Sequence, residues 1–324
     1  MTASPSVTLL VPRAFNADTL AELGETYRVL RCEDGAIDAL PAEARAAVRG
    51  VAVAGRFADA DMAALPNLEI IAHFGVGYDG VDAWAAARRG IMVTNTPDVL
   101  TEEVADTTLG LLINTVRELP QAEAYLRAGR WTERPYRLTP NTLRGRHVGI
   151  MGLGRIGLAI ARRLEAFGLT IAYHNRSPRG DVAYAYHPDL IGLATAVDTL
   201  IVAAPGGAAT NGAVNAEVLK ALGPDGVLIN IGRGSVVDEP ALVAALQDGT
   251  IAGAGLDVFA REPHVPDALL ALPNAVLLPH VASASRATRR AMGRLVLANL
   301  DSWFAGRPVP NPVPETIDVA PPRG

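Results

Sequence analysis

A single cysteine, Cys32, occurs in 324 residues. It excludes an intrachain disulfide and any cysteine-based metal cluster, and it agrees with a reducing compartment. Charge is sparse as well. Lys, Arg, Asp and Glu make up 19% of the chain and leave a formal charge of -5, with the two signs interspersed, so no basic field exists to follow a nucleic-acid backbone. Nucleic acid is therefore not expected as a partner. No apolar run approaches the roughly 20 residues that cross a bilayer, so no membrane association is expected either. Met1 to Asn16 lacks the basic lead-in, long apolar region and small-residue cleavage site of an export signal. These absences make the cytoplasm the expected location. The His, Cys and acidic residues show no metal-ligand spacing, and no metal is expected.

What is present is apolar material, 49% of the chain, enough to fill substantial cores. The length exceeds the roughly 250 to 300 residues at which one core stops growing, so two domains are expected. Val7 to Pro12, Arg28 to Arg31, Val51 to Ala54, Leu68 to Ala72 and Ile91 to Thr94 read as short strands. Helical stretches at Asp18 to Tyr27, Met62 to Leu65 and Val81 to Arg89 separate several of them, the pattern of a small parallel α/β domain. Thr101 to Leu119 reads as one long helix. Glu102 and Glu103 suit its positive N-terminal end, and Val104, Thr108, Leu111 and Leu112 are expected to pack inward between two domains. Gly129 to Gly145, with Trp131, Pro135, Tyr136 and Pro140, has no periodicity and reads as a surface connection, or alternatively as an aromatic cover for a partner subunit's cleft.

From His147 a clear βα series begins, with strands near Thr170 to Tyr173, Thr199 to Ala203, Gly226 to Ile231, Gly253 to Val258 and Ala275 to Leu278. Ser285 to Phe304 is expected as a final helix, followed by a proline-rich tail that returns to the first domain. The expected division is a nucleotide-binding domain over 99–284, inserted between residues 1–98 and 285–324 of a substrate domain.

Gly152-Leu153-Gly154-Arg155-Ile156-Gly157 places G-x-G-x-x-G directly between a strand and a helix, the context that gives this pattern its meaning. Gly152 permits the tight turn, Gly154 the approach of a pyrophosphate, and Gly157 close packing of helix on strand. The N–H groups at the helix start then meet the phosphates. Where an acid ordinarily engages the ribose of NAD, the chain reads His174-Asn175-Arg176-Ser177-Pro178-Arg179, and no Asp or Glu occurs from Ala166 to Gly180. Arg176 and Ser177 suit a 2'-phosphate, which an acid would repel, so NADP(H) is expected over NAD(H). Arg179 is a second candidate there, with a solvated basic turn as the alternative. Pro205 follows another strand end and suits a close approach to the dinucleotide. Asn230-Ile231-Gly232-Arg233-Gly234 sets a cation at a strand terminus, where ligands gather in such sheets. Asp257 is expected either to face the nicotinamide edge or to cap a turn.

The charged residues fit reduction of a 2-oxo acid. Arg233 offers directed donors to a carboxylate and to a developing oxyanion. His280 carries an imidazole, which titrates near operating pH and so exchanges a proton. Glu262 is placed to accept from its other ring nitrogen and to favour the protonated ring. Phe74 is expected to border the substrate, with a core role as the alternative, and the N–H groups of Val76 and Gly77 to form a small anion nest for its carboxylate. Closure of two domains would then exclude water from the transferring hydride.

Six segments together carry a resemblance: Phe74-Gly75-Val76-Gly77-Tyr78-Asp79, Val93-Thr94-Asn95-Thr96-Pro97, the glycine loop from Gly152 to Gly157, Asn230 to Gly234, Gly255-Leu256-Asp257-Val258-Phe259, and Leu278-Pro279-His280. Across almost its whole length the chain resembles the D-isomer-specific 2-hydroxyacid dehydrogenase family, in its glyoxylate/hydroxypyruvate reductase branch. The resemblance implies an α/β fold of two Rossmann-like domains with doubly wound parallel sheets. It implies catalytic roles for Arg233, Glu262 and His280, substrate binding by Phe74, Val76, Gly77 and Arg233, and a cofactor-side acid at Asp257. It also implies an NADP site built from Gly152, Leu153, Gly154, Arg155, Ile156, Asn175, Arg176, Ser177, Pro205, Ile231, Gly232, Arg233 and His280, and a homodimer engaging residues 101–145. The expected activity is NADPH-dependent reduction of glyoxylate, hydroxypyruvate or a related small 2-oxo acid. Alternatives are a reductase for larger aromatic 2-oxo acids such as phenylpyruvate or hydroxyphenylpyruvate, and a non-catalytic dinucleotide-sensing corepressor. Gly206-Gly207 after Pro205 and Ala282 after His280 depart from the branch pattern without removing a reacting group.

Overall fold

The computed structural model describes residues 7–32 and 35–321; residues 1–6, used above to judge an export signal, lie outside it, as does the end of the tail at 322–324. The chain divides into two compact units, one formed by the described residues up to Leu100 and from Ser285 onward, the other by Thr101–Ala284.

The first unit runs β1 (Thr8–Val11), α1 (Ala17–Thr26), β2 (Arg28–Arg31), α2 (Ala42–Ala47), β3 (Val48–Val53), α3 (Asp59–Ala63), β4 (Ile70–His73), α4 (Ala83–Arg88) and β5 (Met92–Thr94). Its sheet has the order β2-β1-β3-β4-β5, and every pair is parallel. β1, β4 and β5 are buried at every position, which is why they read as continuous apolar runs rather than alternating ones. β3 begins at Val48 rather than Val51, because α2 runs straight into it. β4 is displaced toward the C-terminus from the expected Leu68 to Ala72 and ends on His73.

The closing helix, Arg286–Phe304, belongs to this unit and is started by the Ser285 side chain, which accepts the N–H of Thr288. Gly293 on that helix allows Thr19 to pack directly against its backbone. The Tyr27 hydroxyl donates to Asp301 at 2.5 Å and the Trp303 indole N–H to Glu69 at 3.1 Å. The tail then returns to β5: Val313 donates to the Val93 carbonyl at 3.0 Å, and Thr94 bridges to Pro312.

The second unit begins with α5 (Thr101–Arg117) and α6 (Leu119–Arg127). It continues β6 (His147–Met151), α7 (Arg155–Ala166), β7 (Thr170–His174), β8 (Ala185–Tyr186), α8 (Leu190–Ala196), β9 (Thr199–Val202), α9 (Ala216–Leu222) and β10 (Val227–Asn230). α10 (Glu239–Gln247), β11 (Gly253–Leu256), α11 (Asp267–Leu270) and β12 (Ala275–Leu277) complete it. The sheet order is β12-β11-β10-β9-β6-β7-β8, with all pairs parallel. Strand order reverses between β6 and β9, and in sheets of this kind the crevice at the carboxyl ends of such a strand pair is the ligand site. Both units are therefore Rossmann-like parallel α/β folds.

Two features differ from expectation. The long helix ends at Arg117: Glu118 takes φ 52°, and the chain restarts as α6 with a proline in its first turn, a helix the sequence reading did not give. Part of the buried face of α5 packs on its own unit's sheet, where the Leu111 and Thr115 side chains sit within 2.8 Å of where a side chain at Gly255 would begin. β8 is a short edge strand with no apolar run to betray it. Among the described residues, no helix is long and apolar enough to cross a membrane.

Candidate active site

The glycine loop after β6 is shaped by contacts that leave no room for side chains. A Cβ at Gly152 would lie 2.7 Å from the Ala204 nitrogen, and one at Gly157 would strike the Gly152 carbonyl. At Gly154, by contrast, a Cβ would meet nothing within 4 Å. Gly154 opens onto space above the first turn of α7, and no side chain caps that helix. The N–H groups of Arg155 and Ile156 begin a helix whose positive N-terminal end favours an anion, so the residues present fit a dinucleotide pyrophosphate. Leu153, itself buried, is fixed by its N–H bond to the Asn175 carboxamide oxygen at 2.7 Å. Asn175 is therefore a tie between the β6 and β7 loops.

Arg176 and Ser177 beside it are exposed. Arg179 is not available in the same way: its guanidinium donates to Asp181 through two nitrogens and to the Leu153 carbonyl at 2.7 Å. Asp181 stands just past the acid-free stretch and claims the cation that the sequence had offered as a second phosphate ligand. Pro205 is exposed at the end of β9, and Ile231 is buried at the end of β10.

The turn after β10 is stapled by one side chain. Asn230, 1% exposed, accepts from Gly232 N–H at 3.1 Å and donates to the Arg233 carbonyl at 2.9 Å. A Cβ at Gly232 would lie 2.6 Å from the Ala204 carbonyl, and Gly234 packs backbone to backbone on Phe259 and Ala260. The two glycines press the Arg233 turn against the β9 loop on one side and against the loop bearing Glu262 on the other. Glu239, at the start of α10, fixes that second loop by accepting the Ala260 N–H at 3.2 Å.

Glu262 and His280 meet directly, Oε2 to Nδ1 at 2.7 Å, with Glu262 Oε1 accepting from the Phe259 N–H at 3.1 Å. Burial alone would raise the Glu262 carboxyl. The hydrogen bond and charge of His280, the Phe259 amide and the charge of Arg233 outweigh it and hold the group below its ordinary value. Arg233 and His280 are thus both close enough in the second unit to act electrostatically on Glu262.

Asp257 answers the either-or posed by its position with a capping geometry. It is 1% exposed, and its two oxygens accept the N–H groups of Val281 at 2.7 Å and Ala282 at 2.9 Å. Burial raises its carboxyl above the ordinary value, and the two amides together with His280 only partly offset this. Thr107 on α5 adds a hydroxyl bond to the Ala282 carbonyl at 3.2 Å. Asn230, Glu239 and Thr107 went unassigned in the sequence; the first two stand at a strand end and a helix start, whereas Thr107 lies within α5.

In the first unit, Val76 and Gly77 are half-buried in the loop after β4. Phe74 is buried, edge-on to Phe15 at 5.2 Å between centroids, with the Arg289 guanidinium 5.8 Å from its ring. Burial and these ring contacts suit the core role posed above as the alternative. Among the described residues, no three His, Cys, Asp or Glu side chains are grouped to hold a metal ion.

Comparison with known proteins places the chain among relatives of one family. The model of the family described as D-isomer specific 2-hydroxyacid dehydrogenase, NAD binding domain, matches residues 109–282. The chain is 50% identical to a glyoxylate/hydroxypyruvate reductase A of Arabidopsis thaliana over 82% of its length and 85% of that protein. It is 49% identical to a hydroxyphenylpyruvate reductase of Plectranthus scutellarioides over 85% of its length and 87% of that protein. Among solved structures it resembles an NADPH-dependent glyoxylate/hydroxypyruvate reductase from Sinorhizobium meliloti, in complex with NADP and malonate, at 59% identity and TM-score 0.95 over 98% of this chain and 99% of that one.

Proposed function

The chain belongs to the D-isomer specific 2-hydroxyacid dehydrogenase family and is an enzyme; from that premise we propose that it uses NADPH to reduce glyoxylate, hydroxypyruvate or a related small 2-oxo acid to the 2-hydroxy acid. The observation that carries the proposal is the 2.7 Å contact of Glu262 with His280 beside the charge of Arg233. When bound, the reduced nicotinamide supplies a hydride to the carbonyl carbon.

The protein's own groups do the rest. His280, with Nδ1 turned to Glu262, presents Nε2 as the donor of the proton to the ketone oxygen, and takes it back in the reverse direction. Glu262 fixes the ring by its contact with Nδ1. The Arg233 guanidinium addresses the carboxylate and the oxygen as negative charge grows on it. Val76 and Gly77 supply N–H groups to the substrate carboxylate.

Gly152 to Ile156 receive the pyrophosphate, and Pro205, Ile231 and Gly232 border the cofactor at the strand ends. Asp257 serves the same site by holding the turn that carries His280. The preference for NADPH is supported by exposed Arg176 and Ser177, by the absence of acids between Ala166 and Gly180, and by the NADP in the Sinorhizobium meliloti reductase. A homodimer in the cytoplasm fits the exposed Leu126, Trp131 and Leu138 in the segment 101–145 and the lone cysteine.

The likeness to a hydroxyphenylpyruvate reductase supports a second reading, with aromatic 2-oxo acids as substrates. Loss of NADPH absorbance measured with glyoxylate, hydroxypyruvate, phenylpyruvate and hydroxyphenylpyruvate decides between them. The highest kcat/KM is expected for the small acids. NADPH binding without oxidation by any of the four would overturn the enzymatic reading in favour of a dinucleotide sensor.

A further inference from the structure

The loop assigned above to the substrate carboxylate is held from behind by the side chain of Asn95, and we infer that Asn95 is a positioning residue that turns the 76–77 peptide toward that carboxylate. The inference rests on the reading of Val76 and Gly77 as carboxylate ligands.

A trans peptide unit is planar, with its carbonyl and its N–H pointing in opposite directions, so fixing one fixes the other. The N–H of Val76 shares a plane with the Gly75 carbonyl, and the N–H of Gly77 shares one with the Val76 carbonyl. Both carbonyls are held by consecutive residues after β5. Thr96 donates its backbone N–H to Gly75 at 2.9 Å, and Asn95 donates its side-chain Nδ2 to Val76 at 2.8 Å. The two N–H groups are consequently turned to the opposite side, the arrangement a carboxylate nest requires.

The second bond needs a side chain. The backbone N–H of Asn95 is occupied by the Asn311 carbonyl at 3.3 Å, and Asn311 in turn donates its N–H to Asn299 at 3.0 Å. Asn299, fully buried on the closing helix, anchors that series. Asn95 therefore reaches Val76 from a backbone already fixed on the unit's frame. Without its carboxamide, the 76–77 peptide is bordered on one side by Gly77, and a glycine resists rotation of a peptide plane least.

Asn95→Asp replaces the donor with an acceptor of the same shape, and Asn95→Ala removes it without adding charge. Both are expected to raise KM for glyoxylate and the inhibition constant of oxalate by about 10-fold. The expected kcat stays within about 3-fold and KM for NADPH is unchanged, a split that general loss of structure would not produce. Unchanged KM and oxalate inhibition in both variants, or a fall confined to kcat, overturns the inference. Val76→Pro, which deletes one of the two loop N–H groups, separates the two levels of argument. If a Val76→Pro enzyme that still binds NADPH keeps normal oxalate inhibition, the carboxylate assignment itself fails. If it loses oxalate binding while both Asn95 variants retain it, only the role of Asn95 fails.

Discussion

His280 donates its backbone N–H to the carbonyl of Asp257 at 2.9 Å while holding φ at 54°. A non-glycine residue in the left-handed region costs of order 1 kcal/mol or more and persists only where its surroundings over-determine it. Asp257 provides that determination, because its carboxylate also accepts the next two N–H groups, those of Val281 and Ala282. Asp257→Asn is nearly isosteric but presents an NH2 to one of those amides. The turn is expected to relax and kcat to fall by about 10-fold or more through misplacement of the ring, with KM for NADPH little changed. A kcat equal to that of the wild type would remove Asp257 from this role.

Loss of the imidazole itself should cost more. His280→Asn is expected to retain NADPH binding, measured by fluorescence titration, and to lose on the order of 10²-fold or more in kcat from loss of general acid catalysis. Near-normal turnover would show that the proton comes from another group.

The strand ends that carry these residues were legible because each chemical group follows an apolar run: Arg233 after β10, Asp257 after β11 and His280 after β12. Parallel strands bring their carboxyl ends to one edge, so residues far apart in sequence could be assigned to one site. What escaped was the polar work behind the site. Asn230, Glu239, Thr107 and Asn95 hold backbone atoms, and a backbone partner leaves no trace in residue type. Arg179 misled for a related reason, since the exposed cation of the sequence became the held one of the structure through an acid two positions on. The break at Glu118 was hidden because Leu119 continues the apolar pattern of α5 while the backbone reverses beneath it. Arg146 was likewise unread: it is 6% exposed and joins Asp198, Thr199 and the Asp225 carbonyl, a tie internal to the second unit.

The lowered carboxyl of Glu262 gives a pH dependence of known sign. A carboxyl depressed in the folded state stabilises it fully above the ordinary glutamate value of about 4.3, and that contribution is lost as pH falls through the depressed value. The difference in thermal midpoint between wild type and Glu262→Gln should therefore shrink on acidification below about pH 4, and it should be modest because the pair is half exposed. In turnover, Glu262→Gln takes the charge from the side chain in contact with His280, and the pH-rate profile for reduction should shift. An unchanged profile would speak against coupling of the two side chains.

Cofactor choice is expected to depend on Arg176 in a way that Arg179 cannot replace. Arg179 already donates to Asp181 and to the Leu153 carbonyl, so moving it to a 2'-phosphate would break a charge-assisted pair and loosen the glycine loop. Arg176 carries no such commitment in its exposed place after β7, and a charge-assisted bond to phosphate is about twice as strong as a neutral one. Arg176→Ala should raise KM for NADPH by about 10-fold or more and leave KM for NADH nearly unchanged, because NADH has no group for the guanidinium to hold. Arg179→Ala should instead raise both, since the loop it ties serves the pyrophosphate common to the two cofactors. Equal effects of Arg176→Ala on NADPH and NADH would break the assignment, and the preference for the phosphorylated cofactor would then have to arise elsewhere in the β7 loop.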